Sequence, residues 1–204
     1  MSAPPTTHIT ADPEEAEAIR RRVREADLTG LGADRRLART DDAPALAELL
    51  SDPAVSDPLY DLPRPFTVEN VRAWIARAEA DQRKGEALLV LSFDEAGLSG
   101  FSKFSIWPDR ASGELAGGRR ANLQSRGEGG PGAAHSFGWM FEHLGLRLIG
   151  LTAALDNVRS ARLIERAGFV AMGERDSRRP DGSIRRSRYW ELSREAWRAA
   201  RSAS

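Results

Sequence analysis

Residues 124–130 of the chain read Gln124-Ser125-Arg126-Gly127-Glu128-Gly129-Gly130, between a strand-like segment and an amphipathic helix. Glycines here let the backbone approach a ligand closely and turn its N–H groups outward. The helix that follows adds the positive end of its dipole, so the loop predicts a cradle for an anion such as a phosphate-bearing cofactor. A glycine-rich turn can also simply begin a helix, and the flanking sequence has to decide between these interpretations.

Hydrophobic periodicity on both sides of the loop predicts a mixed α/β fold. Strands are predicted at residues 36–39, 87–93, 98–107, 113–118, 148–155, 169–174 and 188–192, the last two joined by a turn at 180–182. Helices are predicted at residues 13–27, from Asp41 or Asp42 onward, from Thr67 to Gly85, and at 133–144, 158–167 and 195–201. A strand, an anion-binding loop, a helix, a parallel strand and another helix form the crossover unit.

The length of 204 residues fits one domain with a sizeable core plus an appendage. Residues 1–34 are predicted to be an N-terminal extension with one helix that starts after Asp12. Gly30 and Gly32 mark the linker to the main domain at 35–194, and residues 195–204 form a C-terminal helix and tail.

Composition excludes several classes of function. The 30 Lys and Arg residues balance 30 Asp and Glu residues, so no global field favours nucleic acid or an acidic membrane. The chain has no cysteine, which excludes disulfides, thiolate metal sites and a cysteine nucleophile. His135 and His143 lack ligand spacing, so we expect no metal. Without an apolar run of ~20 residues or a secretory signal, a cytoplasmic protein is expected.

A second motif occurs at residues 156–169, which read D-N-V-R-S-A-R-L-I-E-R-A-G-F. On the basis of this motif and the loop at 124–130, residues 35–194 resemble the GNAT N-acetyltransferase superfamily. The loop matches the family's acetyl-CoA pyrophosphate motif, Q/R-x-x-G-x-G/A, at Gln124, Gly127 and Gly129. The second motif is similar to the family's D-N-x-x-S-x-x-L-x-E-x-x-G-F. Within the superfamily the pattern is closest to the branch that acetylates ribosomal proteins and other N-terminal amines, which also contains enzymes for antibiotics and polyamines.

The resemblance implies a GNAT fold, with a central, mostly antiparallel twisted sheet that is splayed at the acetyl-CoA site and flanked by helices. It implies acetyl transfer from acetyl-CoA to a primary amine by direct attack in a ternary complex, without a metal. The acceptor is a protein N-terminus or a small-molecule amine. A homodimer is compatible with the resemblance.

The same resemblance assigns the pyrophosphate contacts to Gln124, Arg126, Gly127, Gly129 and Gly130. Glu128 departs from the family, which has an apolar or small residue there. A carboxylate facing the diphosphate would repel it, so we expect Glu128 to point into solvent.

Three further residues are candidates for the reaction. Asn157 is a partner of the pantetheine arm or the N-cap of the following helix. Ser160 is the candidate acid for the leaving thiolate, because Ile164 stands where many relatives have tyrosine; Tyr189 or a water is the alternative, and Ser160 can also simply leave room for the cofactor. Glu114 aligns with an acidic residue that often serves as the base, or is a surface charge at a strand edge.

Two rival functions remain open. The chain can be a non-catalytic cofactor-binding module, with Glu128 and the glycines of strand 113–118 reflecting lost activity. It can also be an interaction protein that docks through helix 13–27 and the arginine-rich C-terminal helix. In an enzyme, the proline-rich loop with Tyr60 and Phe66 would wall the acceptor pocket.

Overall fold

The chain folds around one β-sheet with helices on both faces. The computed structural model describes residues 3–124 and 129–202. Within these ranges the helices are α1 Pro13–Arg24, α2 Ala43–Ser51, α3 Pro53–Ser56, α4 Val68–Lys84, α5 Gly129–Glu142, α6 Val158–Arg166 and α7 Arg194–Ser202. The strands are β1 Arg35–Leu37, β2 Ala87–Asp94, β3 Gly97–Trp107, β4 Ser112–Arg119, β5 Leu148–Ala154, β6 Val170–Arg178 and β7 Ile184–Ser193. Among the described helices, none combines the length and apolar character needed to cross a membrane.

The sheet has the strand order β1-β2-β3-β4-β5-β7-β6. Neighbouring strands are antiparallel except β4 and β5, which run parallel because α5 carries the chain back between them. This arrangement confirms the predicted mixed α/β fold with a mostly antiparallel sheet.

The ends of α4 show how local sequence sets an element. The Thr67 side chain accepts a hydrogen bond from the backbone N–H of Asn70 at 3.2 Å, which caps the first turn. Gly85 ends the helix with φ of 81°, a left-handed conformation that favours glycine. The helix is therefore delimited at the residues that the sequence predicts.

Two apolar layers hold the helices to the sheet. On one face, Leu89, Leu91 and Phe101 of the sheet pack against α2 and α4. The other face, which includes Phe104 and Trp190, packs against α1, α5 and α7. Burying a side chain of this size stabilises the fold by about 1.5–3 kcal/mol.

Helix α1 belongs to the second of these layers. Its Ile19 and Val23 are 1% and 0% exposed and lie in the same core as the sheet. The predicted boundary at residue 34 is therefore not visible as a separate packing unit, and it stays a proposal about sequence organisation.

Helix α5 and the two strands of the β6–β7 hairpin have boundaries that differ from the predicted ones. Helix α5 begins at Gly129 rather than at residue 133, because the first turn of a helix tolerates glycine where few intrahelical bonds have formed. Strand β6 ends at Arg178 and strand β7 begins at Ile184, so their hairpin is longer than predicted. Cross-strand pairing overrides the polar composition there.

Candidate active site

Strands β4 and β5 separate part of the way along the sheet. Their pairing covers Ser112 with Leu148, Gly113 with Ile149, and Glu114 with Gly150. Beyond Glu114, β4 continues to residue 119 paired only with β3, so the described residues place no strand on its other edge. This edge of β4 can accept an extended ligand as a further strand, up to the carbonyl of Arg119, which accepts from Gln124 Nε2.

A cleft of about 400 Å³ follows this opening. Four of the predicted site residues line it: Glu114 on β4, Gln124 after β4, and Asn157 and Ser160 at the start of α6. These residues lie up to 46 positions apart in the sequence and are brought to one cavity, because the crossover through α5 places β5 and α6 beside β4.

The N-terminus of α5 opens toward the same cleft. Gly129 and Gly130 are the first two residues of this helix, and Gly132 and Ala133 line the cleft. A helix N-terminus carries partial positive charge and unpaired N–H groups, which suits a phosphate. The predicted contacts Arg126 and Gly127, and the departure at Glu128, lie outside the described residues.

Glu114 is a buried carboxylate, 6% exposed, on a strand with partners on both sides. The alternative of a surface charge at a strand edge is therefore wrong. Thr152 Oγ1 donates to its Oε1 at 3.2 Å, and Tyr60 Oη lies 3.5 Å from its Oε2. These neutral donors hold the carboxylate at the rim of the splay, where it faces the cleft.

Gln124 braces the cleft through its side-chain amide. Its Nε2 donates to the carbonyls of Ala54 at 3.1 Å and Arg119 at 2.9 Å, while its Oε1 accepts from Arg159 Nη1 at 3.3 Å. The side chain links α3, the end of β4 and α6. Its predicted role as a pyrophosphate contact stays a proposal.

Asn157 is the N-cap of α6, as one of the two alternatives predicts. Its Oδ1 accepts a hydrogen bond from the backbone N–H of Ser160 at 3.0 Å. The side chain of Ser160 is partly exposed and lines the cleft, one turn before Ile164. This position fits the hydroxyl donor expected near the thiolate, a role that stays a proposal.

An N-terminal strap, residues 4–7, covers the face of the sheet beside Glu114. The backbone N–H of Thr6 donates to Tyr189 Oη at 3.0 Å and that of Thr7 donates to Glu191 Oε1 at 2.9 Å. Pro5 is buried and lies over Gly150, where a Cβ would come within 3.3 Å of its ring. The strap walls off the strands on the far side of Glu114.

Tyr189 lies under this strap and does not line the cleft. Its Oη donates to Glu191 Oε1 at 2.5 Å. Burial, and then this hydrogen bond, raise the pKa of the Tyr189 phenol far above its ordinary value. The alternative of Tyr189 as the acid for the thiolate is therefore wrong: the phenol keeps its proton and donates it in the hydrogen bond to Glu191, away from the cleft.

Several residues of the site were not predicted. Thr152 carries no motif, and its bond to Glu114 depends on the pairing of β4 with β5. Lys103 forms a buried ion pair with Asp61 at the end of the cleft near Tyr60. The one sequence signal for Lys103 is the alternation along β3. Successive side chains of a strand point to opposite faces, so Lys103 lies on the opposite face from the buried Phe104.

The splayed strands β4 and β5, the N-terminus of α5 and the buried carboxylate of Glu114 thus form one open cleft. The family model described as an acetyltransferase (GNAT) domain matches residues 35–170. The chain therefore belongs to the GNAT acetyltransferase family. A comparison with curated proteins gives no significant match.

Solved structures with the same fold include three acetyltransferases that are named for their acceptors. Ribosomal-protein-S5-alanine acetyltransferase from Vibrio fischeri has a TM-score of 0.66 and 18% identity, over 80% of this chain and 93% of that one. RimL, a ribosomal L7/L12 α-N-protein acetyltransferase in complex with coenzyme A, gives 0.67 and 17%, over 81% and 97%. A chimera of spermidine N-acetyltransferase from Vibrio cholerae gives 0.66 and 17%, over 80% and 96%. At these identities the likeness shows the fold.

Proposed function

We propose that this protein transfers an acetyl group from acetyl-CoA to a primary amine by direct attack in a ternary complex. The observation that carries the proposal is the free edge of β4 between Glu114 and the N-terminus of α5. One end of this edge offers a base and the other an anion site, and the backbone between them is extended. Relatives with coenzyme A bound, such as RimL, support the choice of nucleotide.

The described residues fit the two parts of that nucleotide. The edge of residues 115–118, which no strand pairs with, suits the amides of a pantetheine arm, which pair as a short strand would. Gly129 and Gly130 at the start of α5 suit the diphosphate, together with Gln124. The proposed contacts Arg126 and Gly127 belong to the same loop.

The reaction needs one proton acceptor and one proton donor. An ammonium acceptor gives up two protons in all: one leaves to solvent and one ends on the thiol of coenzyme A. We assign removal of the amine proton to Glu114, directly or through water, and protonation of the departing thiolate to Ser160, which regains a proton relayed from Glu114 through water. Backbone N–H groups of β4 stabilise the oxyanion that forms when the nitrogen attacks the thioester carbonyl.

The pKa of the acceptor sets how much help it needs. An α-amine with a pKa of ~8 is roughly one-tenth neutral at pH 7, whereas a lysine amine with a pKa of ~10.4 is neutral in under a thousandth of molecules. An acceptor that already supplies neutral amine needs less help from a base than one that is almost entirely protonated. We therefore place α-amines ahead of lysine side chains.

Two measurements test the proposal and separate it from its rivals. Thermal shift with acetyl-CoA distinguishes a nucleotide-binding protein from an interaction protein, and thiol release with a panel of amines distinguishes an enzyme from a silent module. We expect a rise in Tm with acetyl-CoA and amine-dependent thiol release. A Tm rise without thiol release above the hydrolysis background would support the silent cofactor-binding module. No Tm rise would exclude both the enzyme and the silent module.

A further inference from the structure

Arg185 of β7 lies at the end of the cleft where the acceptor would enter. Its guanidinium stacks over the ring of Tyr60, with Cζ 5.1 Å from the ring centroid. Nη1 donates to the carbonyl of Pro58 at 2.7 Å, and Nε donates to Ser187 Oγ at 3.2 Å. These contacts fix the guanidinium between the loop before α4 and the hairpin, on the wall of the cleft.

The hydrogen-bond partners of this guanidinium within the described residues are all neutral. The neighbouring Arg186, on the opposite face of β7, instead forms ion pairs with Glu174 and Asp176. Burial, and then the charge of Arg179, lower the pKa of Arg185 from its ordinary value. The charges of Asp61 and Asp156 act in the opposite direction by smaller amounts. Neither carboxylate is a hydrogen-bond partner of Arg185 among the described residues, and the guanidinium stays protonated.

The other charges at this end of the cleft have partners of their own. Lys103 and Asp61 form a buried ion pair, which leaves little net charge. Glu114 accepts from Thr152 and lies beside the Tyr60 hydroxyl. The Tyr60 side chain therefore has a carboxylate at its hydroxyl end and a guanidinium over its ring.

This pair of charges indicates an acceptor of matching polarity. A partly buried guanidinium binds a carboxylate or phosphate strongly and in a fixed orientation, since its donors form a planar fork. An amino group near Glu114 and an acidic group near Arg185 would satisfy both. A polyamine would bring a second cation to Arg185 and be repelled.

We propose that the acceptor is an acidic primary amine, whose amino group faces Glu114 and whose acidic group is bound by Arg185. The inference rests on the proposed function and names its substrate class. Both an amino-acid-like small molecule and a protein N-terminus with an acidic residue close to the α-amine have this chemistry.

A matched set of amines tests the charge preference by thiol release. The small amines are 4-aminobutyrate, butylamine and 1,4-diaminobutane; the peptides are Ser-Glu-Gly-Gly, Ser-Gln-Gly-Gly and Ser-Lys-Gly-Gly amides. We expect the wild type to favour the acidic member of at least one series over the basic member by about tenfold or more in kcat/KM, a ratio set mainly by KM. The series with the higher kcat/KM shows whether the acceptor is a small molecule or a protein N-terminus.

Three variants assign the preference to Arg185. Arg185→Gln should reduce the acidic-to-basic ratio to near one, and Arg185→Lys should keep part of it because the charge remains without the fork. Arg186→Gln is the control on the same strand and should keep the wild-type ratio. The Tm of each variant, with and without coenzyme A, shows whether the fold and the nucleotide site persist.

The outcomes separate the two proposals. A wild-type preference for the basic amines, or a ratio that survives in a folded Arg185→Gln variant, would overturn the acidic-acceptor proposal and leave the acetyltransferase standing. Absence of thiol release with every amine, despite a Tm rise with coenzyme A, would overturn both.

Discussion

At the scale of single residues, two buried carboxylates on the same face of the sheet have different surroundings. Glu114 and Glu191 are 6% and 5% exposed. Glu114 lines the cleft, whereas Glu191 accepts from Tyr189 and from the backbone of Thr7 in the strap. Position relative to the splay, and not burial, is why we propose a chemical role for Glu114 and a structural role for Glu191.

Glu114→Gln is expected to lower kcat/KM for an amine by roughly 10²-fold, since a positioned base contributes about that much. The amide keeps the shape of the side chain, so the rise in Tm with coenzyme A should match that of the wild type. Steady-state kinetics across pH measure the effect. A pH–rate profile that is superimposable on that of the wild type would remove Glu114 from the mechanism.

Glu191 predicts a pH dependence of stability. Burial raises the pKa of this carboxyl, but the hydrogen bonds from Thr7 and Tyr189 outweigh it and hold the pKa below its ordinary 4.5. A carboxyl whose pKa is lowered by folding contributes stability above its unfolded pKa, and loses that contribution as the pH falls through its folded pKa. Urea unfolding between about pH 6 and pH 3 should therefore show a smaller loss of stability in Glu191→Gln than in the wild type. Equal slopes would contradict this account.

At the scale of elements, the first turns of α5 provide the proposed anion site. Gly132 lines the cleft, and a Cβ built there meets nothing within 4 Å. A side chain at this position therefore changes the charge of the site without disturbing the packing of the helix.

Gly132→Glu should weaken coenzyme A binding by at least about tenfold, because two unit charges about 4 Å apart repel by ~4 kcal/mol at an effective dielectric of 20, before screening by salt. Gly132→Ala is the matched control and should bind nearly as the wild type while gaining about 0.5–1 kcal/mol of helix stability. Calorimetric titration measures both affinities. Equal weakening in the two variants would show that space, not charge, matters there.

The N-terminal strap is the second element with a testable role. Thr7→Pro removes the N–H that donates to Glu191 and should destabilise the protein by about 1–3 kcal/mol, the cost of leaving a buried carboxylate short of a donor. Thr7→Ala keeps the N–H and should stay close to the wild type. Urea unfolding of the two variants measures the difference in their free energies of unfolding. Equal stabilities would mean that the strap contributes little to the stability of the fold.

At the scale of the whole molecule, the sequence predicts the helix ends, strands and site residues that depend on neighbouring residues or on motifs. Thr67 and Gly85 delimit α4, and the apolar run at 87–93 becomes β2, because these signals act within a few residues. The motifs place Glu114, Asn157 and Ser160 at one cleft through the crossover topology.

Contacts between distant segments could not be predicted. The hydrogen bond from Thr6 to Tyr189 joins residues 183 positions apart, and nothing in the sequence of either segment predicts the contact. Arg185 stands in an arginine-rich hairpin where composition does not distinguish it from Arg186, and its place in the cleft follows from which face of β7 it occupies.

The splayed sheet and the helix N-terminus together define one path for the nucleotide, and a crystal structure with coenzyme A bound tests it most directly. The account predicts pantetheine amides hydrogen-bonded to the β4 backbone at residues 115–118, the diphosphate at the start of α5, and the sulfur on the side of the cleft near Glu114 and Ser160. Coenzyme A bound elsewhere, or β4 and β5 paired along their full length in the complex, would contradict it.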